Sequence, residues 1–397
     1  MIYIVTLIFL FVLVLLFDTN RVKTSDRVKN FFYYFSLIVL IAIAGLRYKV
    51  GGDSFAYLRD FENIPVLRDI FIKFDFSKAT YEPLWYILSS FCKSIVNDFA
   101  FFQIVHSTIV NSIVFWFIKK YTPFKFTAIF FYYISLYLYF NTEILREALS
   151  ICCLLVAYPY FTKGKWIKYY MLSILAVLFH FSALILFVFP LFKRFRFDAK
   201  NFLFLFGMSI LLVVFSEQLL GLLIGGLEII GIEGRYEVYR SFKLNYKGII
   251  ANYILLVLIP TAVIYIDNKI NGQNVFKDLF YIYFLIAFAI IVFDGLFRLR
   301  NYMSVFCMVY WTNFVFNVFQ WQFVRRLRKA VVCFLFILYA IPNFLYYFND
   351  TSKSVGGTKM YDLWHPYYSI FNPKEHPKRE QLYDAIVGNE KPESERK

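Results

Sequence analysis

The sequence predicts an all-helical protein that crosses a membrane many times. Three observations lead to this fold class. Of the 397 residues 60% are hydrophobic, the mean hydropathy is +0.58, and long apolar runs recur along the chain. A soluble domain is closer to half apolar and could not hide such an excess in one core. A helical span needs about 20 apolar residues, because the hydrocarbon layer of a bilayer is about 30 Å thick.

About ten apolar runs are long enough to be membrane spans. They lie at residues 2–17, 31–46, 100–118, 126–141, 145–161, 201–216, 249–266, 279–296, 302–319 and 331–347. The first run has no basic region before it and no small-residue cleavage site after it, so we interpret it as a retained span and not as a signal peptide. A single transmembrane domain is therefore predicted over residues 1–347.

Two further apolar segments could be spans or shorter helices. Residues 83–97 follow Glu82 and contain Lys93, which favours an interfacial or re-entrant helix. Residues 169–190 carry His180 at their centre. A polar residue at the apex of a re-entrant helical pair would contact protein or water and avoid lipid. Whether either segment crosses the membrane is left open by the sequence.

Positive charge sets the predicted orientation, because loops rich in Lys and Arg stay on the cytoplasmic side. Five such loops lie at residues 18–30, 119–125, 162–168, 193–200 and 320–330. They share one side if residues 83–97 do not cross and residues 169–190 enter and leave together. Both termini then lie outside, with outer loops at 47–82 and 217–248 and an extracytoplasmic tail at 348–397. The end of the tail, GNEKPESERK, has a composition typical of disorder.

The net charge of +15 does not indicate binding of nucleic acid, because the loops predicted to be cytoplasmic account for much of the Lys and Arg. The five cysteines lie in apolar runs, and the four histidines are scattered along the chain. Neither set has the spacing of a metal or redox site. We therefore predict neither a metal nor a cofactor.

A second set of charged residues remains, on the face predicted to be outside. It comprises Arg47, Asp53, Arg59, Glu62, Glu82, Glu143, Arg146, Glu147, Glu233, Arg235, Glu237, Arg240, Asp294, Arg298 and Arg300. Basic residues on this face oppose the usual charge bias, and Arg at the centre of a span costs about 2.5–3.5 kcal/mol on insertion scales. Guanidinium groups bind phosphate bidentately, so an anionic ligand at the membrane surface, such as a lipid-linked pyrophosphate, would explain the set.

The basic residues of this set also have a structural interpretation. Arg146 could form a local ion pair with Glu143 or Glu147 at the start of a helix. Arg298 and Arg300 could simply extend toward lipid headgroups.

The same holds for the other candidates. Asp53 follows two glycines and could be a turn residue or a helix cap. A lone histidine such as His180 is more often a hydrogen-bonded interior residue than a base. Tyr57 belongs to a group of outer aromatic residues, which an interfacial belt explains as well as sugar stacking does.

The order of these elements resembles the EpsG-type exopolysaccharide polymerases, relatives of the Wzy O-antigen and capsule polymerases. The resemblance is carried by LRYKVGGDSFAY (46–57), YEPLWYILS (81–89), NTEILREALS (141–150), LAVLFHFSALI (175–185), FRLRNYM (297–303) and HPYYSIF (365–371). No single motif is specific, whereas their order and spacing over about residues 30–370 are fairly specific. Glu147 stands where the family usually has Gln, which argues against a direct glycan hydrogen bond at that position.

The resemblance implies a metal-independent glycosyltransferase of the C-type fold, embedded as a multi-pass protein in the bacterial cytoplasmic membrane. Such a polymerase joins undecaprenyl-pyrophosphate-linked oligosaccharide repeat units into O-antigen, capsule or exopolysaccharide on the outer face. Its partners would be the lipid-linked oligosaccharide, the lipid bilayer, a chain-length regulator and a flippase.

This reaction needs stabilisation of a departing diphosphate and a base for the acceptor hydroxyl. The predicted contacts to pyrophosphate and glycan are Arg47, Arg146, Arg298 and Arg300, with Arg235 as a weaker candidate and Tyr57 beside them. Asp53, Glu82 and His180 compete for the role of base. We favour Asp53, with His180 as an alternative base or a positioning residue.

Rival functions place their polar residues differently. A lipid-linked oligosaccharide flippase needs basic residues through the depth of the bilayer, whereas the cationic candidates here gather at one rim. A glycan O-acetyltransferase needs an acyl donor from the cytoplasm, where the predicted loops are short and simply basic. A glycan ligase shares the pyrophosphate chemistry and differs only in its acceptor.

Overall fold

The computed structural model describes residues 2–19, 24–76, 79–195, 198–215, 218, 246–270, 275–320, 347, 354–355 and 358–381. Within these residues the chain is almost entirely helical, with one antiparallel hairpin of β1 (Ser354–Val355) and β2 (Thr358–Lys359). The chain forms two compact units. The first consists of Met1–Pro159, Ile167–Ala183 and Cys333–Lys397, and the second of Tyr160–Trp166 and Leu184–Val332.

Several of the described helices are suited to a membrane. Those long and apolar enough to cross it are Asp26–Gly45, Phe99–Tyr121, Leu145–Thr162 and Gly248–Ile270. Shorter apolar helices lie at Ile2–Asp18, Trp166–Phe179, Phe181–Phe192 and Ala199–Val214. The structure thus supports the predicted all-helical, polytopic membrane protein, while the number of about ten spans stays a prediction. The predicted span at 331–347 lies outside the described residues, apart from Tyr347.

The described part of the first unit contains nine α-helices. They are α1 (Ile2–Leu13), α2 (Asp26–Gly45), α3 (Ser54–Asn63), α4 (Ile70–Lys73), α5 (Pro83–Ile95), α6 (Phe99–Tyr121), α7 (Lys125–Tyr132), α8 (Leu145–Thr162) and α9 (Trp166–Phe179). The main helix pair is α2 against α6. A Cβ on Gly45, the last residue of α2, would lie 2.9 Å from the Cα of Ile104, so only glycine permits this approach.

A buried polar network fixes the end of α7 beside α6. Two π-turns, Tyr133–Tyr137 and Tyr139–Glu143, continue α7 and change the direction in which its side chains face. Asn111 on α6 donates from Nδ2 to Oδ1 of Asn141 at 3.0 Å, and the hydroxyl of Tyr132 donates to Oδ1 of Asn111 at 3.0 Å. Asn141 is fully buried, so this polar residue of the NTEILREALS motif belongs to the core.

Contacts near the ends of the long helices of the first unit fall into two sets. At one end, Gly45 packs on the start of α6, and Nε2 of His106 lies 2.9 Å from the carbonyl oxygen of Leu145. At the other end, the amide of Thr127 donates to Oδ2 of Asp18 at 2.7 Å. We call the first of these the site end, because Asp53, Glu82, Arg146 and His180 lie near it.

Helix α5 is held to the segment that follows α3 by polar side chains. Nζ of Lys93 donates to the carbonyls of Phe61 and Glu62 at 3.0 and 2.9 Å. Ser90 donates to the carbonyl of Pro65 at 2.6 Å. The polar side of α5 is therefore fastened to the end of α3 and the loop after it, and the interfacial position predicted for 83–97 stays a prediction.

The segment predicted as a re-entrant pair forms two helical stretches on either side of His180, which we call the hairpin, and whether it enters and leaves the membrane on one side stays a prediction. Helix α9 leads to His180, and a 3₁₀-helix (Phe181–Phe187) followed by α10 (Phe189–Phe192) leads away from it. Lys193 donates from Nζ to the carbonyl of Phe161 at 2.7 Å, and the same Nζ lies 5.2 Å from the ring centroid of Trp166. The hairpin thus begins and ends beside the end of α8, with His180 at its apex.

The second unit is built mainly from apolar helices. They are α11 (Ala199–Val214), α12 (Tyr246–Asn252, continued by a π-turn at Tyr253–Leu258), α13 (Ile259–Ile270), α14 (Lys277–Val292) and α15 (Asn301–Gln320). A 3₁₀-helix, Asp294–Arg300, joins α14 to α15. The rings of Phe202 and Phe284 meet edge to face at 5.4 Å, and buried Asp267 accepts a hydrogen bond from Tyr310 at 3.0 Å. An apolar cavity of about 60 Å³ lies among α13, α14 and α15.

Candidate active site

The Gly51-Gly52-Asp53 turn lies directly on the end of the π-turns that continue α7. Gly51 has φ +114°, a conformation that L side chains rarely adopt, and a Cβ there would lie 2.6 Å from Cβ of Thr142. A Cβ on Gly52 would lie 3.6 Å from Cγ of Glu143. Asp53 is exposed and precedes α3, but its side chain makes no capping hydrogen bond. The glycines therefore bring the Asp53 backbone against Glu143.

Glu143 is the carboxyl group opposite this turn. Its Oε1 is fully enclosed. Burial raises the pKa of Glu143 to about 8, and the negative charge of Asp53 raises it further, while a hydrogen bond with Tyr347 opposes the shift. At neutral pH Glu143 is therefore mostly protonated beside Asp53. Two carboxyl groups with different protonation states are suited to proton transfer.

Arg146 lies next to this pair, on the first turn of α8. Its Nη1 donates to Oε2 of Glu82 at 2.6 Å, and its guanidinium carbon lies 3.8 Å from the ring centroid of Tyr81. The Tyr57 hydroxyl interacts with Arg146 and donates to the carbonyl of Glu143 at 3.2 Å. Arg146 is thus held in place by a carboxylate and by aromatic rings, as in a cation–π contact. Its ion pair is with Glu82, from which it is separated by 64 positions, and differs from the local pair that the sequence allowed.

Glu82 joins Arg146 to the apex of the hairpin. Its Oε1 accepts from the backbone amide of Phe181 at 2.8 Å, while its Oε2 accepts from Arg146. Nδ1 of His180 lies 2.6 Å from the hydroxyl of Ser182 and accepts from the Ser182 amide at 3.3 Å. Since Nδ1 is an acceptor, the neutral ring carries its proton on Nε2. Both oxygens of Glu82 have positioning partners, which favours a positioning role over that of a base.

Arg47 lies at the same end but faces the interior. It is 2% exposed, and it donates to the carbonyls of Ala44 and Val50, the latter at 3.2 Å. In the orientation that satisfies its amide, Gln103 accepts from Nε and Nη2 of Arg47 at 3.3 Å. Burial lowers the pKa of Arg47 to about 10, so the group stays charged at neutral pH. This placement differs from the predicted pyrophosphate contact, because the guanidinium donors already serve the end of α2.

The remaining predicted cations belong to other parts of the chain. Arg298 and Arg300 lie in the second unit, on the 3₁₀-helix before α15, and both are exposed. Arg300 lines a small crevice together with Leu256 and Met303. Arg235 lies outside the described residues. A pocket shared by these cations and Arg146 stays a prediction.

Sequence reasoning missed three contributors to the site end. Asp60 lies one helical turn after Tyr57 on α3, where it is hydrogen-bonded to Tyr81 and faces the charge of Arg146. Burial raises the pKa of Asp60. The spacing of Tyr57 and Asp60 could have indicated a shared helix face. The other two contributors, the enclosed and mostly protonated carboxyl of Glu143 and the C-terminal tail, depend on contacts between distant segments.

The tail folds back onto the loop that carries Asp53. We call residues 360–381 the tail strap. The amide of Gly51 donates to the carbonyl of Leu363, and the amide of Tyr48 donates to that of Tyr368, both at 2.9 Å. Near the other chain end, the ring of Tyr3 meets that of Tyr367 edge to face at 5.8 Å. Both ends of the described chain therefore lie at the site end, while their position outside the membrane stays a prediction.

Comparison with known proteins identifies a family. The model of the EpsG family matches residues 30–369, which include the Asp53 turn, Arg146 and His180. No curated protein and no solved structure matches the chain. Among the described residues, no group of three or more His, Cys, Asp or Glu side chains could hold a metal ion.

Proposed function

The chain belongs to the EpsG family, a Wzy-like polymerase-type family, and on this premise we propose that it polymerises undecaprenyl-pyrophosphate-linked oligosaccharides. Family and apolar helices together indicate a membrane-embedded polysaccharide polymerase in the general sense. The finer proposal is that repeat units are joined on the outer face of a bacterial cytoplasmic membrane into O-antigen, capsule or exopolysaccharide. A flippase and a chain-length regulator would be its partners in that process.

One observation supports this proposal above the others. The Tyr57 hydroxyl joins a positioned guanidinium, Arg146, to the backbone carbonyl of Glu143, and the mostly protonated carboxyl of Glu143 feels the charge of the exposed Asp53. Transfer of a glycan from a diphosphate needs these components: a cation for the leaving group and a carboxylate for the acceptor proton. A purely structural membrane protein has no need to gather them at one end.

In the proposed step the acceptor hydroxyl attacks the anomeric carbon of the lipid-linked glycan. The new glycosidic C–O bond forms as the bond from that carbon to the diphosphate oxygen breaks, and the electron pair leaves with the diphosphate. Arg146 stabilises the negative charge that develops on this oxygen. Asp53 accepts the hydroxyl proton, and Glu143, being neutral, adds no second negative charge.

The other residues have supporting roles in this proposal. Glu82 orients Arg146, and Tyr57 links Arg146 to the Glu143 backbone. His180 positions the hairpin apex and is the alternative base. Arg47 holds the loop that leads to Asp53. Arg298, Arg300 and Arg235 are proposed as further contacts to pyrophosphate.

The proposal is tested by complementing a deletion strain with variants and measuring polymer length. Arg146→Ala is expected to abolish long polymer while single lipid-linked units accumulate and the amount of protein in the membrane is unchanged. Arg146→Lys should restore little, because an ammonium cannot replace the planar fork. Arg68→Ala, an exposed arginine of the same predicted outer loop, is the matched control and should be normal. Normal chain length in Arg146→Ala would contradict the proposal.

A further inference from the structure

The tail strap contains a buried arginine, Arg379. Arg379 is 1% exposed. Its Nε donates to the carbonyl of Asp362 at 2.9 Å, its Nη1 to that of Lys49 at 2.8 Å, and its Nη2 to that of Pro366 at 2.8 Å. The guanidinium fork thus binds backbone oxygens on two separate segments at once.

One of these oxygens belongs to the loop that carries the proposed base. The Lys49 carbonyl lies just before the Gly51-Gly52-Asp53 turn, and Lys49 itself has φ +49°, so this stretch of backbone is tightly bent. A non-glycine residue in such a conformation persists only when its surroundings hold it there. Arg379 supplies that restraint from the tail.

The tail strap also contacts the other side of the carboxyl pair. Trp364 is fully buried, and its Nε1 donates to the hydroxyl of Thr142 at 3.2 Å. Thr142 is the residue before Glu143 and the one against which Gly51 packs. The same short segment therefore binds the Asp53 turn through Lys49 and Gly51, and the Glu143 segment through Thr142.

We propose that Arg379 is a positioning residue for the transfer reaction, because it fixes the Asp53 turn against Glu143 through the Lys49 carbonyl. This inference rests on the proposed function. Arg379 lies beyond residues 30–369, the range that the family model matches, so membership of the family does not imply it.

The test compares Arg379→Ala, Arg379→Gln and Arg379→Lys with a control at the preceding residue, Lys378→Ala. Lys378 is exposed, so its loss should leave polymer length normal. Arg379→Ala and Arg379→Gln should shorten the polymer and slow its formation at least tenfold. Arg379→Lys should recover only part of this rate, since one ammonium cannot reach three carbonyls in a plane. Polymer is measured per amount of protein in the membrane.

A second readout separates positioning from a simple loss of stability. Membranes with each variant are given the lipid fraction of the deletion strain, which holds the native lipid-linked units, and the rate is followed against pH. The groups that face Glu143 are Asp53, Tyr347 and the Tyr57 hydroxyl on its carbonyl. If Arg379→Gln lets Asp53 move away, its charge no longer raises the pKa of Glu143. The fall in rate on the alkaline side, where Glu143 loses its proton, should then move to lower pH. A stability effect alone would scale the profile without moving it.

The outcomes distinguish failure of this inference from failure of the proposed function on which it rests. If Arg146→Ala abolishes polymer but Arg379→Lys and Arg379→Gln have wild-type rates and pH profiles, the inference is overturned and the function stands. If Arg146→Ala also polymerises normally, the function itself fails. If Arg379→Ala does not accumulate, Arg379→Lys and Arg379→Gln decide the matter, and an unmoved pH profile in both would count against positioning.

Discussion

Two regions at the site end hold arginine in opposite ways. In the region of the Asp53 loop and tail strap, Arg47 and Arg379 are almost completely buried and donate to backbone carbonyls. In the region of α5 and α8, Arg146 keeps 16% of its side chain exposed and is held by Glu82 and Tyr81. Arginines with the same predicted location can therefore serve the fold or the reaction. Backbone carbonyl partners indicate a role in the fold, whereas a partly exposed guanidinium held by a carboxylate and a ring is suited to bind a ligand.

The largest expected effect is on stability, from Arg47→Ala. This change leaves the carbonyls of Ala44 and Val50 without their donor and opens a cavity, so it should cost about 2–5 kcal/mol of folding free energy. The variant should accumulate poorly and melt at lower temperature in detergent, by a larger shift than Arg146→Ala, which removes one partner of Glu82 but leaves its second, the Phe181 amide. An Arg47→Ala protein that is stable but makes no polymer would contradict the structural role of Arg47 and support it as a pyrophosphate contact.

A smaller effect, visible as a dependence on pH, is expected from Glu143→Gln. The pKa of Glu143 is about 8 in the fold and 4.5 ordinarily, so between these values the folded state keeps a proton that the unfolded state releases. Stability should therefore fall as pH rises through this window, by at most about 1.4 kcal/mol per pH unit. Below about pH 4.5 and above about pH 8 the contribution is constant.

The Gln side chain is neutral at every pH, so melting curves of Glu143→Gln should lack this decline. Arg68→Ala again serves as the control and should keep it. A wild-type decline that persists unchanged in Glu143→Gln would assign the titration to another group. Glu143 would then not be the protonated carboxyl of the site end.

The smallest effect is expected from Glu380→Gln. Glu380 accepts from Nζ of Lys49 at 3.1 Å, but both side chains are partly exposed, and such surface pairs contribute about 0–1 kcal/mol. Polymer length and melting temperature should stay close to those of the wild type. A loss as large as that of Arg379→Ala would mean that the surface pair, and not the buried fork, fastens the tail strap.

Much of the architecture follows from local chemistry that the sequence displays. Lys93 inside residues 83–97 indicated a polar side of this helix, and in the structure its ammonium binds the carbonyls of Phe61 and Glu62. His180 lies between two helical stretches, as its polarity indicated, while the position of both segments in the membrane stays a prediction. In each case a polar group in an apolar run needs a partner, and that need restricts where the segment can lie.

The direction of side chains and their distant partners could not be predicted in this way. Arg47 was expected to face a ligand, but whether an arginine at a helix end turns inward depends on the carbonyls available there. Arg146 pairs with Glu82 across 64 positions instead of with a neighbour on its own helix. Such contacts are decided by how the helices pack, and a single sequence does not display that.

The contact between Arg379 and the Lys49 carbonyl joins residues 330 positions apart. During synthesis the chain emerges from its N-terminus, so the loop around Asp53 leaves the ribosome long before its restraint exists. The loop around Asp53 therefore gains this restraint only after residue 379 has been synthesised.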